Sequence, residues 1–118
     1  IRTTFPVAAL DFIDREGLGE ARGYNSYNWG GYLIWRDVPV FVDGRADVYG
    51  DEFLQDYMRT YQAQDQWTLT LDTYHVEYVL IERDAVLSTV LTASQEWRMA
   101  YEDDIARVFV RDSHEGHQ

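Results

Sequence analysis

The chain of 118 residues carries 21 acidic and 10 basic side chains, which gives a formal net charge of −11. Such a surface repels phosphate backbones and anionic lipid, so nucleic acid is not expected as a partner. The chain has no cysteine, which excludes disulfides, thiolate metal sites and a cysteine nucleophile, and its hydrophobic content of 46% argues against disorder.

The first half of the chain predicts two helices and two strands. Apolar residues at helical spacing after Pro6 predict a helix that ends near Gly17. Residues 21–25 are a candidate first strand. The run "VPVFVDG" at residues 38–44 is β-branched and ends in Asp-Gly, which predicts a buried strand followed by a turn. Residues 51–62 combine acids in the first turn with an apolar stripe, which predicts a helix.

The second half predicts two more helices, a strand and a hairpin. Residues 67–74 predict a short helix, although their threonine content leaves a strand open, and "VEYVLIE" at residues 76–82 predicts a strand. Residues 84–94 predict a helix capped by Asp84. Two segments of alternating polarity flank the acidic pair at residues 103–104 and predict a β-hairpin.

This order of elements predicts a layered α/β domain with a mixed, largely parallel sheet of about five strands that ends in a C-terminal β-hairpin. We expect a single domain over residues 1–112 and a polar C-terminal tail over residues 113–118. No apolar run has the length of a membrane helix. The chain begins at Ile1 without Met, so we expect it to be a segment of a longer protein.

A ligand-binding edge is expected where the strands at residues 21–25 and 38–44 end, because ligands of open α/β sheets collect beyond the carboxyl ends of the strands. Amides and carboxylates there would hold sugar hydroxyls, arginine would give a fixed donor fork, and aromatic rings would stack on a sugar. The candidate ligand-binding residues are Asn25, Asn28, Trp29, Tyr32, Asp43, Arg45 and Asp47.

A structural interpretation of the same residues stays open. Asn25 and Asn28 are good caps for a helix in "WGGYLIW", and Asp43 with the following glycine is ordinary turn chemistry. Arg45 lies between Asp43 and Asp47, where it would form a structural ion pair.

Catalytic and cofactor templates are absent from the sequence. It contains no phosphate-binding loop and no dinucleotide fingerprint, and the spacing of Asp43 and Asp47 does not match a calcium loop. His114 and His117 lie in the polar tail and do not make a metal site alone. We expect no cofactor, no metal and no catalytic residue in this chain.

Several sequence blocks together resemble a known group of proteins. They are "FPVAALDFI", "NSYNWGGYLIW", "VFVDGRADVYGDEF", "YHVEYVLIE" and "YEDDIARVFVR". In this order they are similar to the C-terminal soluble region of bacterial multi-pass membrane proteins that resemble the C-type glycosyltransferase superfamily, which includes mannosyltransferase-like and oligosaccharyltransferase-like proteins. The block "NWGGY" is similar to the Trp-Trp-Asp-Tyr-Gly motif of oligosaccharyltransferases, which helps to recognise the acceptor. It departs from that motif because Asn28 stands where the Asp would be and two glycines intervene, so the role is not carried over.

The resemblance implies a location and a set of partners. The domain would lie on the extracytoplasmic face of the membrane, as part of a multi-pass membrane protein. Its partners would be the N-terminal membrane-spanning region of the same protein and a carbohydrate or lipid-linked sugar. The parent would be a glycosyltransferase that uses a lipid-linked sugar, with its catalytic acids in the membrane part.

Three functions follow from the sequence as hypotheses. The first is a non-catalytic extracytoplasmic domain of a membrane glycosyltransferase-like protein, which binds an acceptor or sugar or braces the membrane part. The second is a carbohydrate-active hydrolase that uses Asp43 and Asp47 as its pair of carboxyl groups. The third is a structural or protein-interaction module.

Overall fold

A computed structural model describes residues 4–42 and 49–112. The helices are α1 (Val7–Arg15), α2 (Gly30–Trp35), α3 (Asp51–Tyr61), α4 (Thr68–Thr73) and α5 (Val86–Ala93). The strands are β1 (Gly23–Asn25), β2 (Tyr78–Glu82), β3 (Trp97–Glu102) and β4 (Ala106–Arg111). Short 3₁₀ turns at Leu18–Glu20 and Tyr27–Trp29 precede β1 and α2.

The four strands form one mixed sheet in the order β1-β2-β4-β3. β1 pairs with β2 in parallel, whereas β2 pairs with β4 and β4 with β3 in antiparallel orientation. The α/β class, the mixed sheet and the C-terminal hairpin predicted from the sequence are confirmed. The sheet has four strands in the described residues rather than about five, and one of its three pairings is parallel, because β4 of the hairpin takes the place beside β2.

Helices cover both faces of the sheet, because the central strand β2 has apolar side chains on both faces. Its residues alternate between two buried clusters, so that Val79 and Ile81 pack on one side and Tyr78 and Leu80 on the other. α3, α4 and α5 supply the first side with Tyr57, Leu71, Leu87 and Leu91, among others. α1 and α2 supply the second side, with Leu10, Ile13 and Leu33. A strand that is apolar on both faces requires this three-layer arrangement.

The strand predicted at residues 38–44 is wrong for its described part. Residues 38–42 form no strand, although Val42 is fully buried and Phe41 packs against the same cluster. The backbone N–H groups of Phe41 and Val42 both donate to Oδ1 of Asn25, at 2.7 and 3.3 Å. Pro39 has no N–H to donate. The segment therefore has buried side chains, as predicted, but its hydrogen bonds go to a side chain instead of a neighbouring strand.

Two predicted caps are also corrected. Asp84 does not cap α5, whose N-cap residue is Ala85 and has no side-chain cap. Asn25 and Asn28 do not cap α2, whose N-cap residue is Trp29 and has no side-chain cap. The Ser26 hydroxyl instead caps the preceding 3₁₀ turn, where it accepts from the backbone N–H of Asn28 at 3.2 Å. No helix among residues 4–42 and 49–112 is long and apolar enough to cross a lipid bilayer.

Candidate functional site

The carboxyl ends of the parallel strands β1 and β2 lie side by side and carry a polar cluster. Asn25 pairs with Leu80 in the register of the two strands, so the residues after each strand meet at one edge of the sheet. Ser26 follows β1, and Glu82 is the last residue of β2. This is the edge at which α/β sheets place their ligands.

Glu82 is the centre of this cluster. Its Oε2 accepts a hydrogen bond from the Ser26 hydroxyl at 2.6 Å and from the Asn28 side-chain amide at 3.2 Å. Its Oε1 accepts a hydrogen bond from the Tyr61 hydroxyl at 2.6 Å. Three side chains from two segments therefore fix one half-buried carboxylate, since Ser26 and Asn28 follow β1 and Tyr61 ends α3.

Three stacked tyrosine rings pack against the residues of this cluster. Tyr24, Tyr57 and Tyr61 lie ring over ring, with centroids 5.0 and 5.9 Å apart. The Tyr57 hydroxyl donates to the carbonyl of Asn25 at 3.0 Å and accepts from the backbone N–H of Tyr27 at 2.7 Å. Burial is the main cause that raises the pKa of the Tyr57 and Tyr61 phenols, so both stay protonated as donors near neutral pH.

Three clefts open around this cluster, and Asn28 lines all of them. We name them the polar cleft, the Trp35 cleft and the tyrosine cleft, after their lining residues given below. The polar cleft has a volume of about 710 Å³. The Trp35 cleft measures about 470 Å³ and the tyrosine cleft about 290 Å³. The polar cleft is lined by residues that include Thr4, Asn28, Trp29, Glu82, Asp84 and Asp104. The Trp35 cleft is lined by Phe5, Asn28, Gly31, Tyr32 and Trp35. The tyrosine cleft is lined by Tyr27, Asn28, Leu54, Tyr57, Met58 and Tyr61.

Aromatic surfaces lie open beside Asn28. Trp35 is 76% exposed, and its ring packs against Tyr32 at a centroid distance of 5.8 Å. Tyr32 in turn stacks on Phe5 at 4.8 Å with nearly parallel planes, so that the three rings form a continuous apolar wall. The Arg36 guanidinium donates a hydrogen bond to the Tyr32 hydroxyl at 2.9 Å. An exposed indole beside hydrogen-bonding side chains has the composition of a sugar-binding surface.

The structure separates the predicted site residues into different roles. Asn28 and Tyr32 line clefts. Trp29 also lines the polar cleft, but its side chain is largely buried, and its indole N–H donates to the carbonyl of Thr4 at 3.0 Å. Asn25 is 2% exposed, and both ends of its amide bind backbone groups, so it is a structural residue. Asp43, Arg45 and Asp47 lie outside the described residues, as do His114, His117 and the tail at residues 113–118.

Sequence reasoning missed Glu82, Ser26 and Tyr61. Glu82 is one of 21 acids and stands at the end of a strand where a solvated charge is ordinary. The ligand-binding edge was expected at the ends of the strands at residues 21–25 and 38–44, whereas in the structure β1 pairs with β2, which brings Glu82 to that edge. The signal that could have found Glu82 is the end of the strand predicted at residues 76–82. Among the described residues no group of three histidine or acidic side chains is placed to hold a metal ion.

Comparison of the chain with models of protein families, with curated proteins and with solved structures found no match.

Proposed function

We propose that this chain is a non-catalytic extracytoplasmic domain of a membrane glycosyltransferase-like protein, and that it binds carbohydrate around Asn28. The parent protein and the location rest on the resemblance of the sequence blocks described above. The ligand class rests on one observation about the exposed side-chain amide of Asn28. It donates to the Glu82 carboxylate, and it lines the polar cleft, the cleft of the exposed Trp35 indole and the apolar tyrosine cleft.

Carbohydrate suits this combination of groups for physical reasons. A sugar ring presents hydroxyls at its edge and C–H groups on its faces, so it needs fixed donors and acceptors beside an aromatic plate. Asn28 and Glu82 supply the polar groups, and Ser26 and Tyr61 hold Glu82 in place before a ligand arrives. Side chains already fixed by packing lose less conformational entropy on binding, which supports recognition by this edge.

The main test is direct titration with neutral oligosaccharides. Trp29 lines the polar cleft and Trp35 lines the neighbouring one, so bound sugar should change the intrinsic tryptophan fluorescence. Asn28→Ala removes the amide shared by the three clefts and should weaken binding by roughly 10- to 100-fold, as expected for the loss of one or two hydrogen bonds. Gln55→Ala is the matched control, because Gln55 is an exposed amide on α3 that lines none of these clefts.

Two results would contradict binding at Asn28. One is the absence of any fluorescence or calorimetric signal across a panel of neutral and charged oligosaccharides. The other is equal affinity of Asn28→Ala and the parent chain. Turnover of aryl glycosides that disappears in Asp43→Asn would instead support the hydrolase hypothesis, and we expect no such turnover.

A bracing role for the same domain is favoured by an exposed apolar side chain on α2. Ile34 lies on α2 and is 48% exposed, whereas Phe5 and Trp35 line the Trp35 cleft, which sugar binding requires to be open. Contact with the membrane-spanning region of the parent would cover the Ile34 side chain. In the full-length parent, Ile34→Ser should then increase protease cleavage at the junction while leaving sugar binding unchanged, because Ile34 lines none of the three clefts.

A further inference from the structure

The described residues donate three hydrogen bonds to the Glu82 carboxylate. A carboxylate offers about four lone-pair positions. Within the described residues, Ser26 and Asn28 occupy Oε2, whereas Tyr61 alone occupies Oε1. All three donors are neutral, and among residues 4–42 and 49–112 no arginine or histidine forms an ion pair with Glu82. Within residues 4–42 and 49–112, the partners of the carboxylate therefore orient it without neutralising it.

Tyr61 keeps this orientation stable. Burial raises the pKa of its phenol, and the hydrogen bond to Glu82 and the charge of Glu82 raise it further. The phenol therefore remains a donor to Oε1 at 2.6 Å. Tyr61 also lines the tyrosine cleft, while Glu82 lines the polar cleft, so the pair links the two clefts next to Asn28.

The remaining charges of the polar cleft do not compensate for Glu82. Arg83 is the cation that lines it, and its guanidinium pairs with Glu102 at 3.3 Å and Asp104 at 3.7 Å. Asp84 also lines the cleft and has no ion pair among the described residues. A phosphate or uronate entering here would meet an excess of negative charge, which opposes its binding.

We propose that the polar cleft recognises amine-bearing sugars, with Glu82 as the residue that accepts the ammonium group. The inference rests on the proposed carbohydrate binding and names the class of sugar. An ammonium group in the polar cleft would donate to the Glu82 carboxylate and bring a positive charge that no described residue places on it, which makes this hydrogen bond stronger than one from a hydroxyl. The ring of the sugar would lie against Asn28 and the neighbouring aromatic clefts.

The test compares three probes of matched length: short oligomers of glucosamine, of N-acetylglucosamine and of galacturonic acid. Titrations of the whole chain run at about pH 6, where the amine is protonated. The glucosamine oligomer should bind at least about tenfold more tightly than the N-acetylated one, as expected for a charge-assisted hydrogen bond. The uronate should not bind measurably.

Three variants locate the preference. Glu82→Gln keeps an acceptor for Tyr61 and should reduce the preference for the amine to less than about threefold, well below the roughly tenfold value of a charge-assisted bond. Asp84→Asn, at an exposed position, should reduce it partly. Asp65→Asn removes an equal charge from an exposed position that lines none of the three clefts and should leave it unchanged. Melting curves establish that each variant is folded.

The outcomes separate this inference from the proposed function. Equal affinity for amine-bearing and N-acetylated oligomers, or tight binding of the uronate, would overturn the amine specificity and leave carbohydrate binding intact. An equal loss of preference in Asp65→Asn would also overturn it, because the effect would then come from the net charge of the whole chain. No binding of any of the three oligomers would contradict both proposals.

Discussion

Asn25 illustrates how a single buried amide determines the local structure at the edge of the sheet. Its Nδ2 donates to the carbonyls of Ser26 and Val42 at 2.7 and 2.8 Å. Its Oδ1 accepts from the backbone N–H groups of Phe41 and Val42. The side chain thus provides the hydrogen bonds that a neighbouring strand would otherwise provide. This role was not predictable from the sequence, because asparagine at a strand end is equally typical of a ligand site.

Asn25→Ala should therefore destabilise the fold. The substitution leaves buried N–H and C=O groups of residues 41 and 42 without partners, and each unsatisfied group costs about 1–3 kcal/mol. Urea unfolding measures the loss. Asn28→Ala is the control, because Asn28 is exposed and should change the free energy of unfolding by less than about 0.5 kcal/mol. Equal midpoints for the two variants would contradict a structural role of Asn25.

At the scale of elements, two apolar runs had different outcomes. Residues 38–42 and β2 are both rich in β-branched side chains, and both were predicted as buried strands. Burial was predictable in both, because it depends on side-chain polarity. Strand formation was not, because it depends on which backbone groups are free to pair, and at residues 41 and 42 Asn25 already occupies them.

Leu80 is the position at which the central strand should be most sensitive. It is fully buried, pairs with Asn25 on one side and with Val108 on the other, and packs under α1 and α2. Leu80→Ala should lower the free energy of unfolding by about 2–5 kcal/mol, because it leaves a cavity in a closely packed core. Leu69→Ala, at a position that is 51% exposed, should cost much less. Similar losses in both variants would show that β2 does not form the centre of the core.

At the scale of the whole molecule, the order of helices and strands was predictable apart from the strand at residues 38–44, and the arrangement of the site was predictable in part. The place of Asn28 beside the end of β1 followed from the strand predicted at residues 21–25, whereas the second strand expected at this edge, at residues 38–44, is no strand in its described part. The role of Glu82 was not predictable, because its partners Ser26 and Tyr61 are 56 and 21 residues away in the chain. The proposed clamp of Arg45 with Asp43 and Asp47 stays a prediction, since these residues lie outside the described part of the chain.

Buried tyrosines on both faces of the sheet should give the whole molecule an alkaline limit. Burial raises the pKa of Tyr24, Tyr57 and Tyr61 on one face. On the other face burial, together with the charge of Asp14, raises the pKa of Tyr78 to about 12. In the unfolded chain these phenols ionise near pH 10. The folded state therefore holds protons that the unfolded state has already lost, and the contribution to stability is complete below about pH 10 and declines above it.

We expect the contribution of these tyrosines to the free energy of unfolding to stay constant between about pH 8 and 10. The free energy of unfolding should then fall steeply up to about pH 12. Each tyrosine that ionises only on unfolding contributes a slope of up to about 1.4 kcal/mol per pH unit. Urea unfolding across this range measures the slope. Tyr78→Phe keeps the ring and removes one ionising group, so its slope should be shallower than that of the parent by about one proton. Identical slopes for the two proteins would mean that the Tyr78 phenol ionises alike in the folded and unfolded chains, and its burial between the sheet and α1 would then not hold in solution.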